Sequence, residues 1–142
     1  MKTSKDVLSS VLKTTQMGQV GIRSVLDTTM DASLRTALKE QLKEYDAIET
    51  EAHTLAAQRG WEVAELEPAI RFMTDRVTRM QLSGRNNESK IAGMMIQGNT
   101  RGMIKGLKNL HQLSIPDGSI HILSQKLLDC EQANIRQMQE FL

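Results

Sequence analysis

Met94–Leu110, MMIQGNTRGMIKGLKNL, decides how the rest of the chain is read. On a helix, Ala92, Met95, Asn99, Gly102, Gly106, Leu110 and Leu113 follow one another by threes and fours, which gathers them on one buried face. An amide, Asn99, sits mid-stripe. Gly98, Gly102 and Gly106 recur at every fourth position, and each costs a helix about 1 kcal/mol relative to alanine. Close approach of a neighbouring helix, against Gly18 and Gly21 or across a subunit interface, is the expected compensation.

Working outward, the same periodicity returns along the whole chain. A first helix is predicted from about Ser4 to Thr28, capped by Thr3 or Ser4, with Leu8, Leu12, Ile22 and Leu26 on the face that also carries Thr15 and Gln19. Asp31 has the character of an N-cap, and Leu34, Leu38, Gln41, Tyr45, Ile48, Ala52 and Leu55 follow in steps of four and three until Gly60 offers a stop. Lys39, Glu40, Lys43, Glu44 and Glu51 form the opposite, solvated face. Between Gly60 and Arg85 a short helix restarts at Pro68 and stops at Gly84. Its apolar stripe of Ile70, Met73, Val77 and Met80 is expected to lie on the bundle, while Arg71, Arg76 and Arg79 point elsewhere; a basic face for an anionic partner is the alternative, and too few basic residues cluster there to prefer it.

Asn86 or Asn87 caps the next helix, which runs to about Leu113, and Pro116 with Asp117 marks a new start. The last helix places Ile120, Ser124, Leu127, Glu131, Asn134, Met138 and Leu142 on one face. The prediction is one all-α domain over 1–142, an antiparallel four-helix bundle with a helical hairpin at 4–59, a crossover at 60–85 and a second hairpin at 86–142.

Composition narrows the function classes. The 142 residues suffice for one core without metal or disulfide staples, and Cys130 has no cysteine to pair with. Eighteen basic against seventeen acidic residues give a net charge of +1, which removes any global electrostatic argument for nucleic acid. No apolar run approaches the roughly 20 residues of a membrane span, and MKTSKDVLSSVLKTTQ lacks the apolar core of a signal peptide. A cytoplasmic protein without a transmembrane segment is expected.

The four stripes share a polar middle: Thr15 and Gln19, Gln41 and Tyr45, Asn99, then Glu131 and Asn134. Buried polar groups cost a few kcal/mol unless hydrogen-bonded, so these residues are expected to form one network or to hold a small polar ligand. Glu131 is its single formal charge. Its carboxylate needs donors from Gln19, Gln41, Asn99, Asn134 or Tyr45; failing them, its pKa should rise.

Two hairpins, a crossover and a polar mid-bundle layer resemble the ferritin-like superfamily, whose metal-binding members hold two iron or manganese ions with a Glu from two helices and Glu-x-x-His pairs from the others. Glu131-Gln-Ala-Asn134 keeps the spacing but has Asn in place of His. Tyr45-Asp-Ala-Ile48 has neither ligand, and Gln19 and Asn99 stand where the remaining glutamates belong. The QGNTRG and Glu-x-x-Asn segments also look like those of ferritin-like proteins of gut Firmicutes without an assigned activity. Only Glu131 keeps a family ligand, so the resemblance implies the fold without the metal centre, and no catalytic residue or cofactor is expected. The expected function is a non-catalytic binding, scaffolding or assembly protein, a homo-oligomer and specifically a dimer. The alternative is an atypical iron or manganese oxidoreductase or storage protein using Glu131, Glu49 and His53. Glu49 and His53, four residues apart on one helix face, otherwise read as a surface ion pair. His111 and His121 read as solvated helix-end residues, and Met73, Met80, Met94 and Met103 as core filler or a partner groove.

Overall fold

The computed structural model describes residues 2–84, 88–112 and 117–142. The proposed caps Asn86 and Asn87, together with Leu113 and Pro116, lie outside them. Five helices follow in order: α1 (Ser4–Leu26), α2 (Ala32–Arg59), α3 (Pro68–Gln81), α4 (Glu88–Gln112) and α5 (Gly118–Gln139), and no strand occurs among the described residues. Among the described residues no helix is long and apolar enough to cross a membrane.

The ends form where local chemistry demands. Thr3 and Asp6 close a reciprocal capping box on α1, the Thr3 hydroxyl accepting from the Asp6 amide and the Asp6 carboxylate from the Thr3 amide. Asp31 caps α2, and Gly60 ends it in the left-handed conformation at φ 65°. Pro68 opens α3, and Asp117 caps α5 by accepting from the amides of Ser119 and Ile120. α5 ends at Gln139, short of the predicted Leu142, through a turn in which the Phe141 amide donates to the Met138 carbonyl.

Long-range bonds fix how the helices lie. The Lys2 amide donates to the Gln112 carbonyl at 2.8 Å, joining the start of α1 to the end of α4. Arg59 makes a bidentate pair with Asp117 at 2.8 and 2.9 Å, joining the end of α2 to the start of α5. At the opposite end Gln41 Nε2 donates to Gln137 Oε1 at 2.8 Å. α1 therefore runs antiparallel to α4 and α2 to α5, while α1–α2 and α4–α5 pack as hairpins and α1 also touches α5. Leu8, Leu12, Leu34, Leu38, Ile48, Ile91, Ile120, Leu123 and Met138 are buried between them.

The crossover climbs along α1. The Ala64 amide donates to Ser9 Oγ, the Leu66 amide to Gln16 Oε1, Ser24 Oγ to Asp75, and Arg79 to Asp27. α3 lies on α1 through Thr74, Asp75 and Thr78, its polar side, and buries no residue completely. The predicted orientation is thus reversed. Ile70, Met73, Val77 and Met80 are 43, 62, 50 and 70% exposed, and Phe72 is 64% exposed. The physical reason is that α1 at this height offers Ser24 and its C-cap residue Asp27, which reward polar partners.

Candidate functional site

The polar middle exists, but it is divided. Tyr45 comes from α2, Asn99 from α4, and Cys130, Glu131 and Asn134 from α5; all five are buried. Tyr45 Oη donates to Asn99 Oδ1 at 2.9 Å, and Asn99 Nδ2 turns back to the Met95 carbonyl at 2.8 Å. Asn134 Nδ2 reaches both Tyr45 Oη and Asn99 Oδ1 at 3.5 Å. Burial, then the Glu131 charge, pushes the Tyr45 phenol above its ordinary range, so it stays a neutral donor.

Gln19 and Gln41 leave this group, contrary to a single shared network. Gln19 Nε2 points outward to Asp46 Oδ1 at 2.8 Å and Glu49 Oε1 at 3.3 Å, because carboxylates at the α1–α2 boundary are stronger acceptors than a neutral core amide. Gln41 Nε2 is engaged by Gln137, and its Oε1 is buried without a hydrogen-bond partner among the described residues, as is Thr15 Oγ1.

Glu131 is the consequence. Every donor expected to serve it is spent elsewhere, and among the described residues neither carboxylate oxygen has a partner, although the residue is 1% exposed. Burial pushes its pKa from 4.5 up to about 8, so at neutral pH the group is a neutral acid. Gly102 makes the space for it: a Cβ there would lie 2.7 Å from Glu131 Cδ and Oε1. Gly106 does admit a helix neighbour, with Leu128 Cδ1 3.8 Å from its virtual Cβ, whereas Gly98 has nothing within 4 Å. Of the three glycines expected to serve close packing, Gly98 does not. On α1, Gly18 holds the Tyr45 ring instead of facing Gly102, and Gly21 meets nothing.

The cysteine beside this layer is inert. Cys130 Sγ donates to Glu44 Oε2 at 3.2 Å, and burial with that carboxylate raises the thiol to about 12, far from the thiolate a nucleophile requires.

The residues do not fit a dimetal centre. Glu131, Glu49 and His53 are not brought together: Glu49 accepts from Gln16 and Gln19, His53 Nε2 meets Glu65 Oε1 at 2.7 Å, and Glu131 is enclosed against Gly102. Glu49 and His53 are also not paired with each other, since the crossover supplies Glu65 as the nearer anion. Among the described residues no group of three or more His, Cys, Asp or Glu is placed to hold a metal ion. A pair of iron or manganese ions needs several carboxylate and imidazole ligands converging on one point, and Glu49 and His53 are engaged away from Glu131. His111 and His121 are exposed.

Among the described residues four buried polar ones, Ser10, Gln16, Ser24 and Asn109, escaped the sequence reading. Gln16 ties α1 to the crossover through Glu49, Glu65 and the Leu66 amide. Asn109 joins α4 to α1, donating to Ser10 Oγ at 2.6 Å and accepting from Lys2 Nζ at 2.6 Å. Its signal was present, because Asn109 follows Gly106 by three and continues the stripe as well as Leu110 does.

Asn99→Leu separates a structural amide from one that merely occupies space. Loss of the acceptor leaves the Tyr45 hydroxyl proton buried without its Asn99 partner, which should cost about 1–3 kcal/mol in chemical denaturation. Tyr45→Phe combined with Asn99→Leu should recover part of that loss. Compared with protein-family models, curated proteins and solved structures, the chain matches none of them.

Proposed function

We propose that the chain is a ferritin-like antiparallel four-helix bundle without a dimetal centre, and that it is a non-catalytic assembly or scaffolding protein that pairs with a second copy of itself. A cytoplasmic location belongs to the same reading. The antiparallel neighbours and the crossover along α1 support the ferritin-like topology.

The observation that carries the function is the outward face of α3, where Ile70, Phe72, Met73, Val77 and Met80 stand exposed on a helix whose polar side is already committed to α1. An apolar stripe of this kind is the ordinary anchor of a helix-to-helix interface. Charge selects a second copy as the occupant. The segment begins with Glu62 and Glu67 and carries Arg76 towards its end, so a two-fold antiparallel pairing sets the acidic start of one copy opposite the Arg76 end of the other.

Met73→Lys and Met80→Lys test this, since both side chains are more than half exposed and each variant should fold. Sedimentation velocity should show a wild-type dimer and monomeric variants with unchanged helical circular dichroism. A monomeric wild type, or variants that keep the dimer mass, would overturn the reading.

A further inference from the structure

A second polar feature lies away from the mid-bundle layer, at the end where α1 begins and α4 ends. Lys2, Asp6, Ser9, Ser10 and Lys13 of the α1 segment, Ala64 of the crossover and Lys105 of α4 line a groove of about 280 Å³. Three lysines line this one groove, and their like charges repel one another unless an anion joins them.

The groove is held in place by a buried residue. Asn109, 2% exposed, accepts from Lys2 Nζ with Oδ1 and donates to Ser10 Oγ with Nδ2, both at 2.6 Å. The Ala64 amide donates to Ser9 Oγ at 3.2 Å. Each serine oxygen thus already accepts a bond from the protein, which leaves its own proton to be donated into the groove. Asp6 is the acidic member of the lining, and its carboxylate is engaged with the Thr3 amide in the α1 cap. The lining is therefore rich in donors: three ammonium groups and two hydroxyls. Among the described residues neither Lys13 nor Lys105 makes an ion pair. Partial burial, then the charges of Lys2 and Lys13, lowers the Lys105 pKa.

We propose that this groove binds a small soluble phosphate-class oxyanion, inorganic phosphate or a compact phosphomonoester, with Lys2, Lys13 and Lys105 neutralising its charge and Ser9 and Ser10 donating to its oxygens. Lysine acts as a point charge toward phosphate, and a tetrahedral dianion can accept from several directions at once. A planar monoanion would use fewer of these donors.

Isothermal titration calorimetry with inorganic phosphate, at ionic strength held constant with chloride, tests the site. Saturable one-site binding is expected, weakened about tenfold by Lys105→Gln and again by Lys13→Gln, the worth of one bond to a charged group in each case. Lys39→Gln, on the outer face of α2, should bind as the wild type does. Circular dichroism checks that the variants fold. Absence of saturable binding, equal affinity in Lys105→Gln, or full competition by chloride would overturn the proposal. So would binding to phosphatidic acid vesicles without binding of inorganic phosphate, which would move the ligand from a soluble molecule to a lipid surface.

Discussion

Glu131→Gln should stabilise the protein at alkaline pH and flatten its pH dependence between about 5 and 8. Glu131 has a folded-state pKa near 8 against an ordinary value of 4.5, so the folded chain binds its proton more tightly than the unfolded chain does. Stability is then greatest on the acid side of this window and is lost as pH rises from 4.5 through 8. The full difference is about 5 kcal/mol, and about 3 kcal/mol is already lost at pH 7. Gln keeps the shape and cannot ionise, so the variant should match the wild type near pH 5 and exceed it by about 3–5 kcal/mol at pH 9.

Below pH 4 other groups take over. Hydrogen bonding holds the carboxyls of Glu65, Asp75 and Asp117 below their ordinary range, from His53, Ser24 and Arg59 respectively, and their contribution disappears as pH falls through those lowered values. Urea unfolding at several pH values should therefore give a maximum near about pH 5. A wild-type stability that rises from pH 5 to 8, or a Glu131→Gln variant that weakens at pH 9, would show that the carboxylate is ionised and partnered.

Gly18→Ala should be destabilising even though alanine is the better helix former. A Cβ on Gly18 would lie 2.8 Å from Cε2 and Cζ of Tyr45, nearer than real carbon contacts allow. Relief requires the ring to retreat, and the ring carries the hydroxyl that reaches Asn99. Overpacking of this kind costs about 1–3 kcal/mol beyond the propensity gain of about 1 kcal/mol. Gly21→Ala and Gly98→Ala meet nothing within 4 Å and should each gain up to about 1 kcal/mol. Opposite signs for Gly18 and Gly21, three residues apart on one helix, would locate the ring contact by thermal denaturation; equal signs would remove it.

The helices were legible in the sequence because apolar spacing and caps act locally. Asp31, Gly60, Pro68 and Asp117 each stand at a helix boundary for a reason that lies within a few residues. The face of α3 was not legible: its periodicity is correct, yet the side that touches α1 was decided by Ser24 and Asp27, some 50 positions away in sequence. The polar layer was legible as a set of buried residues and illegible as a network. Gln19 had two acceptors available outside the core, and no spacing rule ranks Asp46 and Glu49 above Glu131. Gly102 shows the same limit, since its periodicity announced a close approach without naming the carboxyl that approaches.

Native mass spectrometry of the purified full chain tests the central claim most directly, because one spectrum reports subunit number and bound metal together. The expected spectrum is a dimer of chains without iron or manganese. A spectrum with two such ions per chain would contradict it.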